Sequence, residues 1–189
     1  MTRADNLDRG RLFVISGPSG SGKTSIVARL KNLPGVFYSV SVTSRAPRAG
    51  EVDGADYRFV SRDEFRRMVR LGRLAEHAQV AGNLYGTPRR PLEKALREGK
   101  RAIVDIDVQG AAQIKRAFPE ARLIFIQPPS MEDLERRLRA RGTETEQTIQ
   151  ERLALARREM EFLPKYDAAV ANADLEKATE QVKKLIMAG

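Results

Sequence analysis

The octapeptide Gly17-Pro-Ser-Gly-Ser-Gly-Lys-Thr24 follows directly after the apolar run Leu12-Phe-Val-Ile15. Its spacing, G-x-x-x-x-G-K-[ST], is that of a phosphate-binding loop, in which glycines let successive backbone N–H groups turn inward around an anion. Lys23 supplies a positive charge for the β- and γ-phosphates of a nucleoside triphosphate, and Thr24 can offer its hydroxyl to Mg²⁺. An amphipathic stretch follows, so the strand, loop and helix of this motif are all predicted.

The residues of this loop are therefore the predicted contacts of a nucleoside triphosphate. They are Gly17, Pro18, Ser19, Gly20, Ser21, Gly22, Lys23, Thr24 and Ser25. A helix that begins near Lys23 would also point its positive dipole end at the phosphates.

Composition excludes several other classes of site. The chain has no cysteine and a single histidine, His77, so we expect no thiolate or histidine metal cluster, and any metal should be Mg²⁺ that arrives with the nucleotide. No apolar run approaches the roughly 20 residues that span a bilayer, and residues 1–10 resemble no secretory signal, which favours a cytoplasmic location. The basic residues that give the net charge of +9 are interleaved with acidic residues along the chain. This pattern indicates a solvated surface rather than a stable nucleic-acid partner.

Apolar runs alternate with helical patterns, which predicts one α/β domain, residues 1–189, around a mostly parallel central sheet. The predicted strands are 12–15, 102–106, 123–126 and 168–171. A helix is predicted from the 4-3-4-3 spacing of Ile149, Leu153, Ala156, Met160 and Leu163, and another near the C-terminus.

Two segments interrupt this alternation. Residues 43–87 are rich in Arg, Gly, Pro and Tyr and contain short alternating pieces, which indicates a small mixed α/β lobe inserted in the core. Residues 138–152 are almost wholly polar and are predicted to form an exposed, mobile lid. The core then consists of residues 10–42, 88–137 and 153–189.

The inserted segment contains a set of hydrogen-bond donors: Ser41, Arg45, Arg48 and Tyr57. Two guanidinium groups and two hydroxyls suit a dianionic phosphate, because the planar fork of arginine forms paired bonds with phosphate oxygens. The alternative is that Arg45 and Arg48 only solvate a loop, and the residues alone leave both readings open.

Carboxylates are the second feature of interest. Asp105 and Asp107 close a predicted strand, and they would share one face of it if the strand continued that far. Glu76 or Asp105 would suit a base edge that donates hydrogen bonds, which among purines means the N1–H and 2-amino groups of guanine. For Asp107, the cap of a following helix is an equal alternative.

Further motifs occur in order along the chain. They are Ser39-Val-Ser-Val-Thr-Ser-Arg-Ala-Pro-Arg48, Gly50-Glu51, Asp56-Tyr57, Tyr85-Gly-Thr87, Asp105-Ile-Asp-Val-Gln-Gly110, Pro128-Pro-Ser130 and Arg141-Gly-Thr-Glu-Thr-Glu146. Together with the phosphate loop, they make the chain similar to the guanylate kinases from about residue 11 to residue 187. Small departures include Thr87 where serine is common and Ala173 where aspartate is common.

The resemblance implies transfer of the γ-phosphoryl group of MgATP to GMP, and also to dGMP, giving ADP and GDP within purine nucleotide metabolism and GMP recycling. It implies that Glu76, Thr87 and Asp105 read guanine, and that Thr24 holds Mg²⁺ with Asp107 acting through water. The implied contacts of the GMP phosphate are Ser41, Arg45, Arg48, Tyr57 and Tyr85. The implied catalytic residues are Lys23, Arg45, Arg137, Arg141 and Arg152. ATP and GMP are the expected partners, no membrane is expected, and a homo-oligomer is left open.

Two rival functions belong to different classes. A catalytically silent guanylate-kinase-like interaction module would bind phosphorylated peptides, but the complete phosphate loop and the lid arginines argue against it. The other is a kinase of the same architecture that acts on a ribosyl phosphate. The presence of Glu76, Thr87 and Asp105 favours a guanine pocket over this alternative.

Overall fold

The computed structural model describes residues 10–140 and 145–188, in which five parallel strands form a central sheet. Its strands are β1 (Arg11–Ser16), β2 (Val36–Tyr38), β7 (Arg101–Asp105), β8 (Arg122–Gln127) and β9 (Ala168–Ala171). They lie in the order β2-β7-β1-β8-β9. Its helices are α1 (Lys23–Leu30), α3 (Arg89–Arg97), α4 (Val108–Ala117), α5 (Met131–Ala140), α6 (Glu146–Met160) and α7 (Leu175–Met187), with a short 3-10 helix at Leu163–Lys165.

The central strand β1 is buried on both faces, as its continuous apolar run predicts. Phe13 and Ile15 face a cluster that includes Ile26 of α1 and Val182 of α7. Leu12 and Val14 belong to the cluster on the other face, which is completed by residues of α3 and α4. Helices thus cover both faces, and every parallel strand ends at the same edge of the sheet.

A second sheet lies within the chain between β2 and α3. Its strands are β3 (Val42–Thr43), β4 (Arg58–Phe59), β5 (Leu74–Val80) and β6 (Asn83–Pro88), in the order β4-β3-β6-β5, and the helix α2 (Arg62–Arg70) accompanies them. Phe65 and Met68 of α2 pack with Val42 and Leu74 in a separate apolar cluster. The second sheet therefore has a small core of its own.

The predicted lid segment contains the end of α5 and the first half of α6, while residues 141–144 lie outside the described residues. Thr145 caps α6 through the N–H of Thr148. Leu134 and Leu138 of α5 pack against Ile149, Leu153 and Ala156 of α6. The lid's mobility stays a prediction.

The predicted fold class is confirmed, and each predicted strand is present within a residue of its predicted bounds. Two details of the prediction were wrong. The strand β7 ends at Asp105, so Ile106 and Asp107 do not extend it, and Leu163 lies in the 3-10 helix rather than in α6. In residues 10–140 and 145–188, no helix has both the length and the apolar character required to cross a membrane.

Candidate active site

The phosphate loop joins β1 to α1 in a conformation that depends on its glycines. Gly17 has a φ of 136° and packs so closely that a Cβ there would lie 2.0 Å from the carbonyl oxygen of Ile126. Lys23 donates to the carbonyl oxygen of Gly17 at 2.7 Å, which folds its ammonium group back over the loop. Gly22 precedes α1 without a side-chain cap, and the first turn contains no acidic residue. The N–H groups at this helix end are thus suited to an anion.

Asn172, which directly follows β9, supports the loop from outside. Its side-chain amide donates to the carbonyl oxygen of Ser21 at 2.7 Å, and only 4% of the residue is exposed. A Cβ on Gly22 would come within 2.1 Å of the same amide nitrogen. This support of the loop was not predicted, because nothing in the sequence reports that two distant loops touch.

Two of the three predicted lid arginines lie near this loop. Arg137 of α5 donates to the carbonyl oxygen of Asn172 at 2.7 Å, and Arg152 of α6 donates to Oγ of Ser19 at 2.8 Å. Arg141 lies outside the described residues. The two guanidinium groups come from different helices: Arg152 contacts the loop itself, and Arg137 contacts Asn172, which supports the loop.

In the second sheet, Arg45 is paired with a carboxylate that the sequence analysis did not assign. Its two terminal nitrogens donate to the two oxygens of Glu51 at 2.8 and 3.0 Å. This bidentate pair raises the pKa of Arg45 and lowers that of Glu51. Glu51 also accepts from the backbone N–H of Arg48, at 2.7 Å. Glu51 belongs to the motif Gly50-Glu51, but its pairing with Arg45 was not predicted.

The aromatic residues predicted to bind phosphate surround the same guanidinium group. The rings of Tyr57 and Tyr85 meet edge to face with centroids 5.9 Å apart, and Arg45 lies 5.5 Å from the Tyr57 ring centroid. Burial raises the pKa of Tyr57. Ser41 is buried at the start of this sheet, whereas the side chain of Arg48 is exposed. Arg45, Tyr57 and Tyr85 are thus brought together.

Glu76 and Thr87 form a buried pair across strands β5 and β6. Thr87 Oγ1 donates to Glu76 Oε1 at 2.7 Å; Glu76 is 4% exposed and Thr87 fully buried. Burial raises the pKa of Glu76 to about 7, although the hydrogen bond from Thr87 opposes this rise. A carboxylate so poorly hydrated gains much from a ligand that donates to it.

Asp105 and Asp107 take different places at the end of β7. Asp105 is the last strand residue, and burial raises its pKa against the opposing charge of Lys23. Asp107 accepts from the backbone N–H of Gly110 at 2.8 Å and caps α4, so the cap alternative is confirmed. Lys23 lies near enough to Asp105 for its charge to oppose the rise in the pKa of that carboxyl, and the charge of Asp107 adds to the rise in the pKa of Glu76, so the phosphate loop and the second sheet both approach this strand end.

One further buried acid was not predicted from the sequence. Glu159 of α6 is 8% exposed, and its Oε2 has no hydrogen-bond partner among the described residues. Burial raises its pKa to about 7, with Lys23 opposing and Asp107 reinforcing the shift. The sequence signal for its burial is its helical spacing from Leu153 and Ala156, which are buried on the same helix.

Comparison with known proteins identifies what this arrangement is similar to. A family model described as Guanylate kinase matches residues 9–189. The guanylate kinase of Desulfitobacterium hafniense (strain Y51) is 45% identical over 182 residues, which cover 96% of this chain and 91% of that protein. The guanylate kinase of Synechocystis sp. is 48% identical over 179 residues, 94% of each chain. The crystal structure of the guanylate kinase from Anaplasma phagocytophilum superposes with a TM-score of 0.80 at 36% identity, covering 96% of this chain and 86% of that one.

Proposed function

The chain belongs to the guanylate kinase family and phosphorylates GMP with ATP, and from this premise we propose how its residues divide the transfer. The phosphate loop and the lid arginines bind the donor, and the second sheet binds the acceptor. The observation that carries this division is the buried Glu76–Thr87 pair, which lies in the second sheet and packs against Gly110 of α4, whereas the phosphate loop follows β1 of the first sheet.

On the donor side, residues 17–25 bind the triphosphate of ATP, mainly through the backbone N–H groups that all of them except Pro18 carry. Lys23 leaves the carbonyl oxygen of Gly17 and moves onto the phosphates, where its charge offsets the negative charge that spreads in the transition state. Arg141 and Arg152 of the lid, and Arg137 of the adjoining part of α5, add positive charge. Little covalent work is required, because phosphoryl transfer depends mainly on alignment and electrostatic stabilisation.

The residues at the loop fit a magnesium ion that arrives with ATP. Thr24 is exposed at the first turn of α1, and Asp107 lies at the end of the neighbouring strand β7. Hydroxyl and carboxylate oxygens are the donors that Mg²⁺ prefers, and Mg²⁺ usually keeps several waters, so Thr24 would hold the ion and Asp107 would act through a water molecule. When bound, the ion neutralises charge on the β- and γ-phosphates.

On the acceptor side, Arg45, Arg48, Tyr57, Tyr85 and Ser41 bind the phosphate of GMP. Glu76 and Asp105 accept hydrogen bonds from the N1–H and 2-amino groups of guanine, and Thr87 orients Glu76. Adenine lacks this pair of donors, so AMP would leave the buried carboxylate of Glu76 with no hydrogen bonds beyond those from Thr87. The proposed site assigns no residue to the sugar's 2′-hydroxyl, so dGMP is also proposed as a substrate. The acceptor phosphate is already anionic and needs no general base.

We further propose that the division into core (residues 10–42, 88–137 and 153–189), acceptor lobe (43–87) and lid (138–152) is also a division into moving parts. Closure of the lobe and lid over both substrates would exclude water and prevent hydrolysis of ATP. The reaction would serve purine nucleotide metabolism and GMP recycling in the cytoplasm.

The test is ADP formation from MgATP with a panel of acceptors: GMP, dGMP, AMP, CMP, UMP and a ribosyl phosphate. Turnover restricted to GMP and dGMP is expected. Comparable turnover with AMP would contradict the guanine-reading role of Glu76 while leaving the phosphate loop assigned. Turnover with GMP but not dGMP would contradict only the claim about the 2′-hydroxyl.

A further inference from the structure

We propose that the first two turns of α4 position Glu76 for guanine, with Gly110 providing the space for its carboxylate and Gln113 fixing the backbone beside it. This inference rests on the proposed guanine-reading role of Glu76. It adds two positioning residues from the core layer to a site that otherwise consists of residues of the second sheet and of β7.

Gly110 has no conformational reason to be glycine. It lies in the first turn of α4, in ordinary right-handed helical backbone, where glycine is the worst residue after proline. A Cβ built on it would lie 2.7 Å from Oε2 of Glu76 and 3.2 Å from its Cδ. The space that any other residue would fill is therefore occupied by the carboxylate of Glu76, which must move if a side chain is added.

Gln113 lies one helical turn further and reaches the same strand. Its Nε2 donates to the carbonyl oxygen of His77 at 2.8 Å, and its Oε1 accepts from the N–H of His77 at 3.2 Å. One side chain thus satisfies both backbone groups of the residue that follows Glu76, across 36 positions of sequence. The bonds join a helix of the core layer directly to strand β5.

Strand β5 needs such an anchor because its pairing is irregular at this point. The register with β6 shifts between Leu74 and Glu76, and it is regular from Glu76 opposite Thr87 onward. An irregularity of this kind re-aims the side chains next to it, so the ladder before Glu76 does not fix its direction. The contacts from α4 supply the missing constraint on one side, and Thr87 supplies it on the other.

The experiment compares steady-state kinetics of full-length variants with GMP and MgATP. Gly110→Ala should raise KM for GMP about tenfold, since a misplaced hydrogen-bonding group loses most of its selectivity, while KM for ATP changes less than about twofold. Gln113→Ala should raise KM for GMP about threefold. Arg116→Ala, an exposed change on the same helix, is the control and should leave both constants unchanged.

A double-mutant cycle separates positioning from a general effect on structure. In a Glu76→Ala background, Gly110→Ala should change KM for GMP less than about twofold, because no carboxylate remains to be displaced. The same factor in both backgrounds, or a wild-type KM for GMP in Gly110→Ala, would overturn the inference.

The cycle also distinguishes the guanine-reading role of Glu76 from the positioning roles of Gly110 and Gln113. If Glu76→Ala alone leaves KM for GMP unchanged, the guanine-reading role itself is wrong and the inference falls with it. If Gly110→Ala does not fold, as judged by circular dichroism and thermal unfolding, Gln113→Ala alone decides, and an unchanged KM for GMP there overturns the inference.

Discussion

The phosphate loop and the second sheet organise their polar groups over very different sequence distances. Lys23 contacts the carbonyl oxygen of Gly17 only six positions away, within one loop. Glu76 contacts Thr87 eleven positions away and lies against Gly110, 34 positions away on another layer. The lysine of the donor site is thus held by local backbone geometry, although Asn172 and Arg152 support the loop from far along the chain, whereas the guanine site depends on how separate elements pack.

The difference predicts how each region should respond to substitution. A local loop keeps its shape when one side chain is shortened, so the damage is confined to chemistry. A site assembled from several elements loses binding whenever one supporting element shifts. Changes in the two regions should therefore separate into effects on turnover and effects on acceptor recognition.

The largest expected effect belongs to Lys23→Ala in the phosphate loop. Removal of the ammonium group takes away charge stabilisation in the transition state, and kcat should fall by about 10² to 10³-fold or more. The thermal unfolding midpoint should stay close to that of the wild type. Near-normal turnover would remove Lys23 from the catalytic residues. Lys31→Ala, at the C-terminal end of the same helix α1, serves as the control.

The next effect in size is that of Glu76→Gln in the second sheet. Glutamine presents one acceptor and one donor where guanine needs acceptors, so KM for GMP should rise about 10- to 100-fold. KM for ATP should be almost unaffected, which would sharpen the separation of the two regions. The ratio of GMP to AMP turnover is the measurement, and an unchanged ratio would exclude Glu76 from base reading.

A smaller effect is expected from pH, because the pKa of Glu76 is raised to about 7. The carboxylate form accepts hydrogen bonds from guanine, and protonation removes this ability. KM for GMP should therefore rise as pH falls below about 7, by at most about tenfold per pH unit. The phosphate of GMP titrates nearby as well, so the profile of Glu76→Gln is the control. Identical profiles would contradict the prediction.

The smallest effect is expected from Glu159→Gln, behind the phosphate loop. The pKa of Glu159 is about 7 when folded against an ordinary 4.5, so the folded state binds more protons between these values and stability falls as pH rises through them. Glutamine removes this loss, and the free energy of unfolding at pH 8 should increase by about 1 to 3 kcal/mol. Urea denaturation at pH 5 and pH 8 tests this, with the exposed Glu161→Gln as control. An equal gain at both pH values would exclude ionisation as the cause.

The same contrast in sequence distance explains what could be predicted from the sequence. Runs of apolar residues identified β1, β7, β8 and β9, because strands buried on both faces must be apolar throughout. The short strand β2 escaped because three half-buried residues at the edge of a sheet carry no such signal. The strand, loop and helix around residues 17–24 were predictable because a phosphate-binding motif has a fixed local spacing.

Partners that lie far apart in sequence were not predictable. The motif around Arg45 contained Glu51, but only the packed lobe shows their bidentate pair. The support of Ser21 by Asn172 joins residues 151 positions apart. Gly110 belongs to the motif Asp105–Gly110, but the need for a glycine there follows only from the packing of Glu76 against it. Such contacts depend on tertiary packing, which no local pattern encodes.

The Arg45–Glu51 pair has a consequence for competition among anions. A carboxylate tethered six residues away is present at an effective concentration that commonly reaches the millimolar range, so a phosphate that binds the two terminal nitrogens of Arg45 must compete with Glu51. Inorganic phosphate, which has no base to engage Glu76, is a weaker competitor under these conditions. A nucleotide that also engages the base pocket gains enough to displace Glu51. The lobe can thus remain vacant in a phosphate-rich solution until a complete acceptor arrives.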